Sequence, residues 1–425
     1  MLSIWLYNYT FEFELSKRLS LISNQSIPWY HFNRCANYFL PATTDKDIVL
    51  CYDKPGGCHL EHFERTLDHL PNYLELKQPF LNSSLSYQST FETIAKKIPR
   101  QLINIIPWGW SQELTKLNSI FAEQQPSVDF NLIKKLNSKL TSTNLRNVFL
   151  KNKYQIPSKI VSTNSKIVQK EIETFNNIHN GCYLKDFYGV SGNLMFPVLK
   201  DTKVKNFWQG IKKHFSHADT LLIEKKIDVD NEFSLQFRFS QKEYKFITMT
   251  GLISSKNGNY LGTTVNCKID TDLPTIIKDI KPITEYISNT GYTGYLGFDF
   301  IVTKQNVVKM LEINARYTMG VVAYQWISKL DLVNPGIFIN TFFKSSTAPS
   351  IEEMLKLINK VMQRVNCKIV LIHYILSASP QKNHLINLVI SAPTKRNIHA
   401  ALSKIFDVIS EHSILNKMVK ENRLF

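Results

Sequence analysis

Along the first 140 residues, short apolar runs of strand length alternate with amphipathic stretches of helical period. Ser3–Tyr7 and Asp47–Tyr52 read as strands, and Tyr87–Lys97 and Gln112–Glu123 as helices. Lys54-Pro55-Gly56-Gly57 and Pro107-Trp108-Gly109-Trp110-Ser111 between them fit tight turns, the second leading into a helix capped by Ser111. A second region opens near Thr141, where Ser142, Thr143 and Asn144 offer caps for the helix in NLRNVFLKNKY, which Ile156-Pro157 ends. Strand and helix alternate again until Phe233–Ser254, which reads as a hairpin. There Phe233, Leu235, Phe237 and Phe239 share one face, and Ser234, Gln236 and Arg238 the other, so one side of the sheet is solvated or faces a ligand. From Ser350 the order is helix, strand (KIVLIHYIL), strand (LINLVIS), helix (NIHAALSKIFDVIS). The fold class expected is α/β (α+β), with an N-terminal α/β lobe over 1–140, two further lobes over 141–230 and 231–349, and a C-terminal α/β extension over 350–425.

The sharpest pattern lies in GYLGFDFIVTKQNVVKMLEINAR, Gly294 to Arg316. Its first half places Tyr295, Gly297, Asp299 and Ile301 on one strand face; its second half places Met310, Glu312, Asn314 and Arg316 on one face. A two-residue loop at Gln305-Asn306 sets Asp299 across from Glu312 and Gly297 across from Asn314. Like charges placed opposite each other are destabilising unless a cation sits between them. Two carboxylates and an amide oxygen, with Gly297 leaving space beside them, suit magnesium that takes the rest of its shell from water and phosphate. Arg316 extends the face by one step, where its planar fork can hold a phosphoryl oxygen. The alternative is a hairpin whose polar face is simply wet.

Composition narrows the class. Apolar residues make up 44% and aromatics 12% of 425 residues, which describes a folded chain of two or three lobes. Glu12 and Glu14 interrupt the apolar start, no basic residues precede it, and no apolar run is long enough to span a membrane. Six cysteines without a CxxC pair fit buried thiols in a reducing compartment, so the expected location is cytoplasmic. The net charge of +16 is scattered and forms no dense basic tract, which leaves nucleic acid a minority reading and fits a positive field around a polyphosphate and an anionic acceptor.

Two weaker segments precede the hairpin. In CYLKDFYGVSGNLMF, Lys185 sits on a strand running into a Gly-Val-Ser-Gly-Asn loop whose backbone amides can approach phosphate. In LLIEKKIDVDNEF, an apolar strand ends at Glu224 and Lys225, and Glu232 follows eight residues after Glu224. In this order, with Gly-Phe-Asp and Glu-Ile-Asn-Ala-Arg last, the motifs strongly resemble the ATP-grasp superfamily over about Thr141 to Gly320. The opening strand and the Pro-Trp-Gly-Trp element are similar to bacterial ATP-grasp proteins.

The resemblance implies two lobes with antiparallel sheets that sandwich ATP, the small lobe (141–230) carrying a lysine and a glycine-rich lid, the large lobe (231–349) the metal site. Lys185 matches the lysine on the α- and β-phosphates. Ser191, Gly192 and Asn193 match the lid, Glu224, Lys225 and Ile227 the adenine hinge, and Glu232 the ribose acid. Asp299, Glu312 and Asn314 match the metal ligands, and Arg316 the arginine of ligase-like members. The family's further lysine, in a Ser-Asp-Lys type motif, has only Arg146 as its candidate. The implied cofactors are ATP and Mg2+, two ions, with Mn2+ as a substitute. The implied reaction activates a carboxylate as an acyl phosphate and joins it to an amine, Lys185 and Arg316 stabilising the developing charge. The implied partners are a small-molecule or peptide carboxylate, an amine nucleophile and a second copy of the chain. Two rivals are a kinase on the same fold and an idle nucleotide- or RNA-binding adaptor. His31, Trp108, Trp110, Tyr317 and Arg238 are candidate acceptor contacts. The cluster Cys58, His59, Glu61 and His62 reads as a helical surface with incidental histidines rather than a zinc site.

Overall fold

The computed structural model describes residues 2–8, 11–16, 35–51, 53–75, 84–96, 103–121, 128–164, 167–189, 195–200, 202–216, 218–241, 243–255, 259–331, 333–345, 348–376, 384–409 and 418. The N-terminal lobe runs β1 (Leu2–Leu6), α1 (Phe11–Leu15), a 3₁₀ segment (Cys35–Ala42), β2 (Ile48–Cys51), α2 (Gly57–Leu67), β3 (Asn72–Glu75), α3 (Ser84–Ala95), β4 (Ile103–Pro107) and α4 (Gln112–Phe121). Its strands form a parallel sheet in the order β3-β2-β1-β4. A parallel sheet needs cover on both faces. In β1, Ile4 and Leu6 pack beneath α3 and α4, while Trp5 packs toward the rest of the molecule with Phe39 and Trp108. Ser111 caps α4, accepting from the Leu114 amide at 3.2 Å.

Two helices, α5 (Phe130–Leu136) and α6 (Lys139–Phe149), lead into the small lobe. Helix α6 begins before the cap positions expected from sequence: its N-cap is Ser138, and Ser142 and Thr143 are buried inside it. The Ser142 hydroxyl is engaged elsewhere, accepting from the Ile313 amide at 3.0 Å. The small lobe holds β5 (Ser158–Ser162), α7 (Val168–His179), β6 (Cys182–Lys185), β7 (Met195–Val198), α8 (Trp208–His214) and β8 (Thr220–Lys225), with an antiparallel sheet ordered β5-β8-β6-β7.

The rest comprises β9 (Val229–Ser240), β10 (Glu243–Ser254), β11 (Tyr260–Val265), α9 (Leu273–Asn289), β12 (Gly294–Thr303), β13 (Val308–Asn314), α10 (Met319–Leu330), β14 (Gly336–Phe343), α11 (Ile351–Arg364), β15 (Lys368–Ile375), β16 (His384–Ser391) and α12 (Lys395–Ile409). All eight strands join one antiparallel sheet, β13-β12-β9-β10-β11-β14-β16-β15. The C-terminal strands therefore complete the large-lobe sheet, with α11 and α12 on its outer face. Phe233, Leu235, Phe237 and Phe239 are buried on the opposite side from Ser234 and Gln236, against α9 and the start of α1. No helix among the described residues is long and apolar enough to cross a membrane.

Both edges of the eight-stranded sheet are closed by side chains. Unpaired edge backbone groups invite foreign strands or lose their hydrogen bonds. On β13 and just beyond it, Asn137 brackets Ala315, donating to its carbonyl (3.2 Å) and accepting from its amide (3.0 Å), while Arg146 Nη1 donates to Met310 O (2.7 Å). On β15, the Leu371 amide donates to His62 Nε2 (3.1 Å) and His59 Nε2 donates to Leu371 O (2.6 Å). The histidines of α2 are thus not incidental: through their Nε2 atoms they bond the backbone of the β15 edge.

Candidate nucleotide and metal site

A cavity of ≈ 320 Å³ opens between the small-lobe sheet and the polar face of the large sheet. Lys185, Glu224, Lys225, Ile227, Glu232, Asp299, Glu312, Asn314 and Arg316 all line it. Four separated stretches of sequence are thereby brought to one place. Ser191, Gly192 and Asn193 lie outside the described residues; Gly189 and Met195, which flank them, line the cavity.

The acidic hairpin reaches its register by an indirect route. Its loop is Lys304-Gln305-Asn306: Thr303 N donates to Val307 O (2.9 Å), and Asn306 takes φ 57. A three-residue loop ending in a left-handed residue shifts the pairing by one position from the two-residue loop expected. A bulge between Met310 and Glu312 takes that shift back, so Asp299 faces Glu312 and Gly297 faces Asn314 after all. The bulge also turns Met310 to the core, where it is 0% exposed, instead of sharing a face with Glu312. The space beside Gly297 is not free: a Cβ there would lie 3.2 Å from Gln236 Oε1 and Thr318 Cγ2.

Burial and the facing Glu312 charge push the Asp299 carboxyl up to about 7. Burial works against Glu312 too, but Lys139, at 2.6 Å from its Oε2, together with Lys185 and Arg316 holds it below the usual carboxylate range. Asn314 Nδ2 donates to Asp299 Oδ2 at 2.8 Å and its Oδ1 accepts from Arg316 Nη2 at 3.1 Å. Two half-buried carboxyls facing each other, one of them pushed up, beside an amide oxygen make a donor set for a hard divalent cation, and Asp299, Glu312 and Asn314 would hold it.

Lys185 forms an ion pair with Glu224, whose other oxygen meets Arg146 Nη2 at 3.2 Å. Burial raises the Glu224 carboxyl, and these two cations more than offset it, leaving it below the usual range. Arg146 does not reach the cavity. Its side chain is 0% exposed and also donates to Met310 O and Ile156 O, so it joins β13, the entry to the small lobe and the end of β8. The lysine that sequence reading missed is Lys139, which lines the cavity and donates to Gly189 O at 2.7 Å as well as pairing with Glu312. Asn137-Ser138-Lys139 is the local signal that could have found it, hidden because the helix start was placed too late. Replacing Arg146 by Met would leave Glu224 buried with one cation and two carbonyls unpaired. The expected loss is about 3–5 kcal/mol in urea unfolding, and a loss under about 1 kcal/mol would dismiss its structural role.

Arg316 is held on three sides. Its Nε lies 2.6 Å from Glu12 Oε1, Nη1 donates to Tyr317 O (3.1 Å), and its guanidinium carbon sits 5.6 Å from the Trp108 ring centre. Of the acceptor candidates, Trp108 and Tyr317 therefore adjoin the site, and the Tyr317 amide donates to Trp108 O at 2.9 Å. Trp110 packs, half-buried, against the core, Arg238 stacks on Tyr295 outside the cavity, and His31 lies outside the described residues.

Residues 190–314 match the family model described as L-aspartate–L-methionine ligase, ATP grasp. Among solved structures the chain is similar to biotin carboxylase from Campylobacter jejuni, at 14% identity and TM-score 0.58, over 96% of this chain and 91% of that one. L-amino acid ligase from Bacillus licheniformis gives 12% identity and TM-score 0.55 over 96% and 97%. N5-carboxyaminoimidazole synthetase from Staphylococcus aureus gives 12% and 0.55 over 95% and 97%. These solved structures share the fold along nearly the whole chain, and residues 190–314, which the ATP-grasp family model matches, include Asp299, Glu312 and Asn314.

Proposed function

We propose that the protein is an ATP-dependent ligase that joins a carboxylate to an amine, releasing ADP and phosphate. The observation that carries the reading is the convergence of Lys139, Lys185 and Arg316 on the Asp299–Glu312 pair in one cavity between two antiparallel sheets. In the proposed reaction a substrate carboxylate oxygen attacks the γ-phosphorus of ATP, and the β–γ bridging oxygen leaves with ADP. The amine nitrogen then attacks the acyl carbon, phosphate departs, and the amine gives up a proton. No covalent protein nucleophile takes part. Placement and neutralisation of negative charge carry the catalysis: Lys185 moves from Glu224 to the α- and β-phosphates, and Arg316 faces the phosphoryl group as it transfers. Magnesium, when bound, neutralises phosphate charge and orients the triphosphate, with two ions expected and Mn2+ able to substitute. Glu224, Lys225 and Ile227 frame the adenine and Glu232, held by Ser254 at 2.8 Å, the ribose. The Campylobacter jejuni relative was solved as a complex with β-γ-ATP, which supports this use of the cavity.

The family model's description makes L-aspartate and L-methionine the first acid and amine to try. Six free thiols fit a cytoplasmic location. The test is ADP and phosphate release with magnesium-ATP, first with that pair and then across pools of L-amino acids. Release that needs both an acid and an amine is the expected result. Phosphoryl transfer to a single acceptor, without free phosphate, would overturn the ligase reading in favour of a kinase.

A further inference from the structure

Glu12 belongs to none of the motifs that point to ATP. It sits on α1, a single short turn of helix from the N-terminal lobe, yet its carboxylate meets Arg316 Nε at 2.6 Å. Both side chains are nearly buried, 14% and 13% exposed. The placement of α1 is determined by its neighbours. The Asn8 side chain clamps the Pro-Trp-Gly-Trp turn, donating to Gly109 O (2.7 Å) and accepting from Gly109 N (3.2 Å), and the Asn8 carbonyl accepts from the Phe11 amide. The Phe11 ring lies directly on Gly109, where an added Cβ would come within 2.3 Å of it. Phe11 and Leu15 are buried in the same core as Ile313 and Ala315, so the helix is wedged against the strand that delivers Asn314 and Arg316.

This arrangement gives the Pro-Trp-Gly-Trp turn a purpose. Gly109 makes room for Phe11, which sets Glu12, while Trp108 covers the guanidinium face and its carbonyl takes the Tyr317 amide. Arginine presents its donors in one rigid plane. Nη1 donates to Tyr317 O and Nη2 to Asn314 Oδ1, the Nε edge lies at ion-pair distance from Glu12 Oε1 without a hydrogen bond to it, and one N–H on each Nη is left for another acceptor. A salt bridge whose only task was to fasten the lobes would not need its arginine to touch the amide of the metal set.

Resting on the ligase reading above, we propose that Glu12 is a positioning residue of the reaction. From the N-terminal lobe it fixes the Arg316 guanidinium in the orientation that meets the transferring phosphoryl group.

The test uses the full chain with Glu12→Gln, Glu12→Asp, Arg316→Ala and Glu12→Gln/Arg316→Ala. Glu12→Gln is expected to lower kcat roughly 10- to 100-fold, with the dissociation constant for magnesium-ADP within about twofold of wild type. Glu12→Asp is expected to restore part of the rate, and Glu12→Gln to add nothing once Arg316 is gone. Phenylglyoxal labelling of Arg316, followed by peptide mass spectrometry, reads the contact without any turnover. Labelling several-fold faster in Glu12→Gln, with the other arginines unchanged, is the expected result. Unchanged labelling, an unchanged kcat, or an equal loss in the Arg316→Ala background would each overturn the proposal. Faster labelling in a chain that turns over no acid and amine would sink the ligase reading alone.

Discussion

Glu312→Gln should abolish turnover, lowering ADP release by at least about 10³-fold, while the protein stays folded. Glu312 faces Asp299 across the hairpin and is held charged by Lys139. The amide removes one of two carboxylates from the proposed metal set. In the same stroke it relieves the repulsion that Glu312 adds to the effect of burial on Asp299, and it costs Lys139 its ion pair. The two effects on stability oppose each other, so a large fall in Tm is not expected. Weaker magnesium-dependent nucleotide binding by calorimetry should accompany the lost turnover. A variant that turns over like wild type would remove Glu312 from the metal set and leave the hairpin as a wet surface.

The second large effect should come from acid. His59 and His62 on α2 and His373 on β15 join the N-terminal lobe to the C-terminal strands as neutral rings. His373 Nε2 accepts from the Asn37 amide (3.2 Å) and its Nδ1 donates to Asn387 Oδ1 (3.0 Å). Burial lowers His59 to about 4, with the Leu371 carbonyl opposing; burial and then the nearby His59 lower His62 to about 4 and His373 to about 3. A histidine near 6.5 in the unfolded chain and near 4 in the fold contributes full stability above pH 6.5. That contribution is lost as pH falls from 6.5 to about 4, because only the unfolded chain takes up the proton over that window. The loss for His59, 4% exposed, is roughly 3 kcal/mol over the whole window. Urea midpoints at pH 7, 5.5 and 4.5 should fall steeply, and His59→Gln, which retains a donor for the Leu371 carbonyl, should flatten the slope. Identical slopes would show that His59 is not part of the acid sensitivity.

Periodicity was informative wherever the controlling interactions were local. The alternation through Phe233–Phe239 separated core from cavity, and the facing of Asp299 with Glu312 was legible because a sheet has a period of two. Even that register was reached through two compensating departures, the longer loop and the bulge beside Met310, and neither has a strong sequence signal. Where tertiary bonds compete with local ones, local reading failed. Ser142 looked like a cap and instead serves Ile313, which displaced the helix start and hid Lys139. Arg146, a candidate nucleotide contact by sequence, is spent on three acceptors in the interior. Glu12 reads in the sequence only as a break in an apolar run, since nothing in its neighbourhood reveals an arginine 304 positions away. The sheet order was equally hidden, because the C-terminal strands carry no mark that they pair with β14 and not with each other alone.

The closed edges of the large sheet bear on how the chain is made. The residues that close β15, His59 and His62, leave the ribosome early, while the strand they cover arrives some three hundred residues later. Until β16 and β15 emerge, β14 ends an unfinished sheet whose edge backbone groups have no partner strand. Contacts of such sequence separation form slowly, and uncovered strands recruit others of their kind. During synthesis the part that carries the proposed site can therefore be fully translated and still exposed to association with its neighbours. Messages broken before the codons of β16 should yield chains that aggregate or are degraded, even though every proposed nucleotide and metal ligand is present in them.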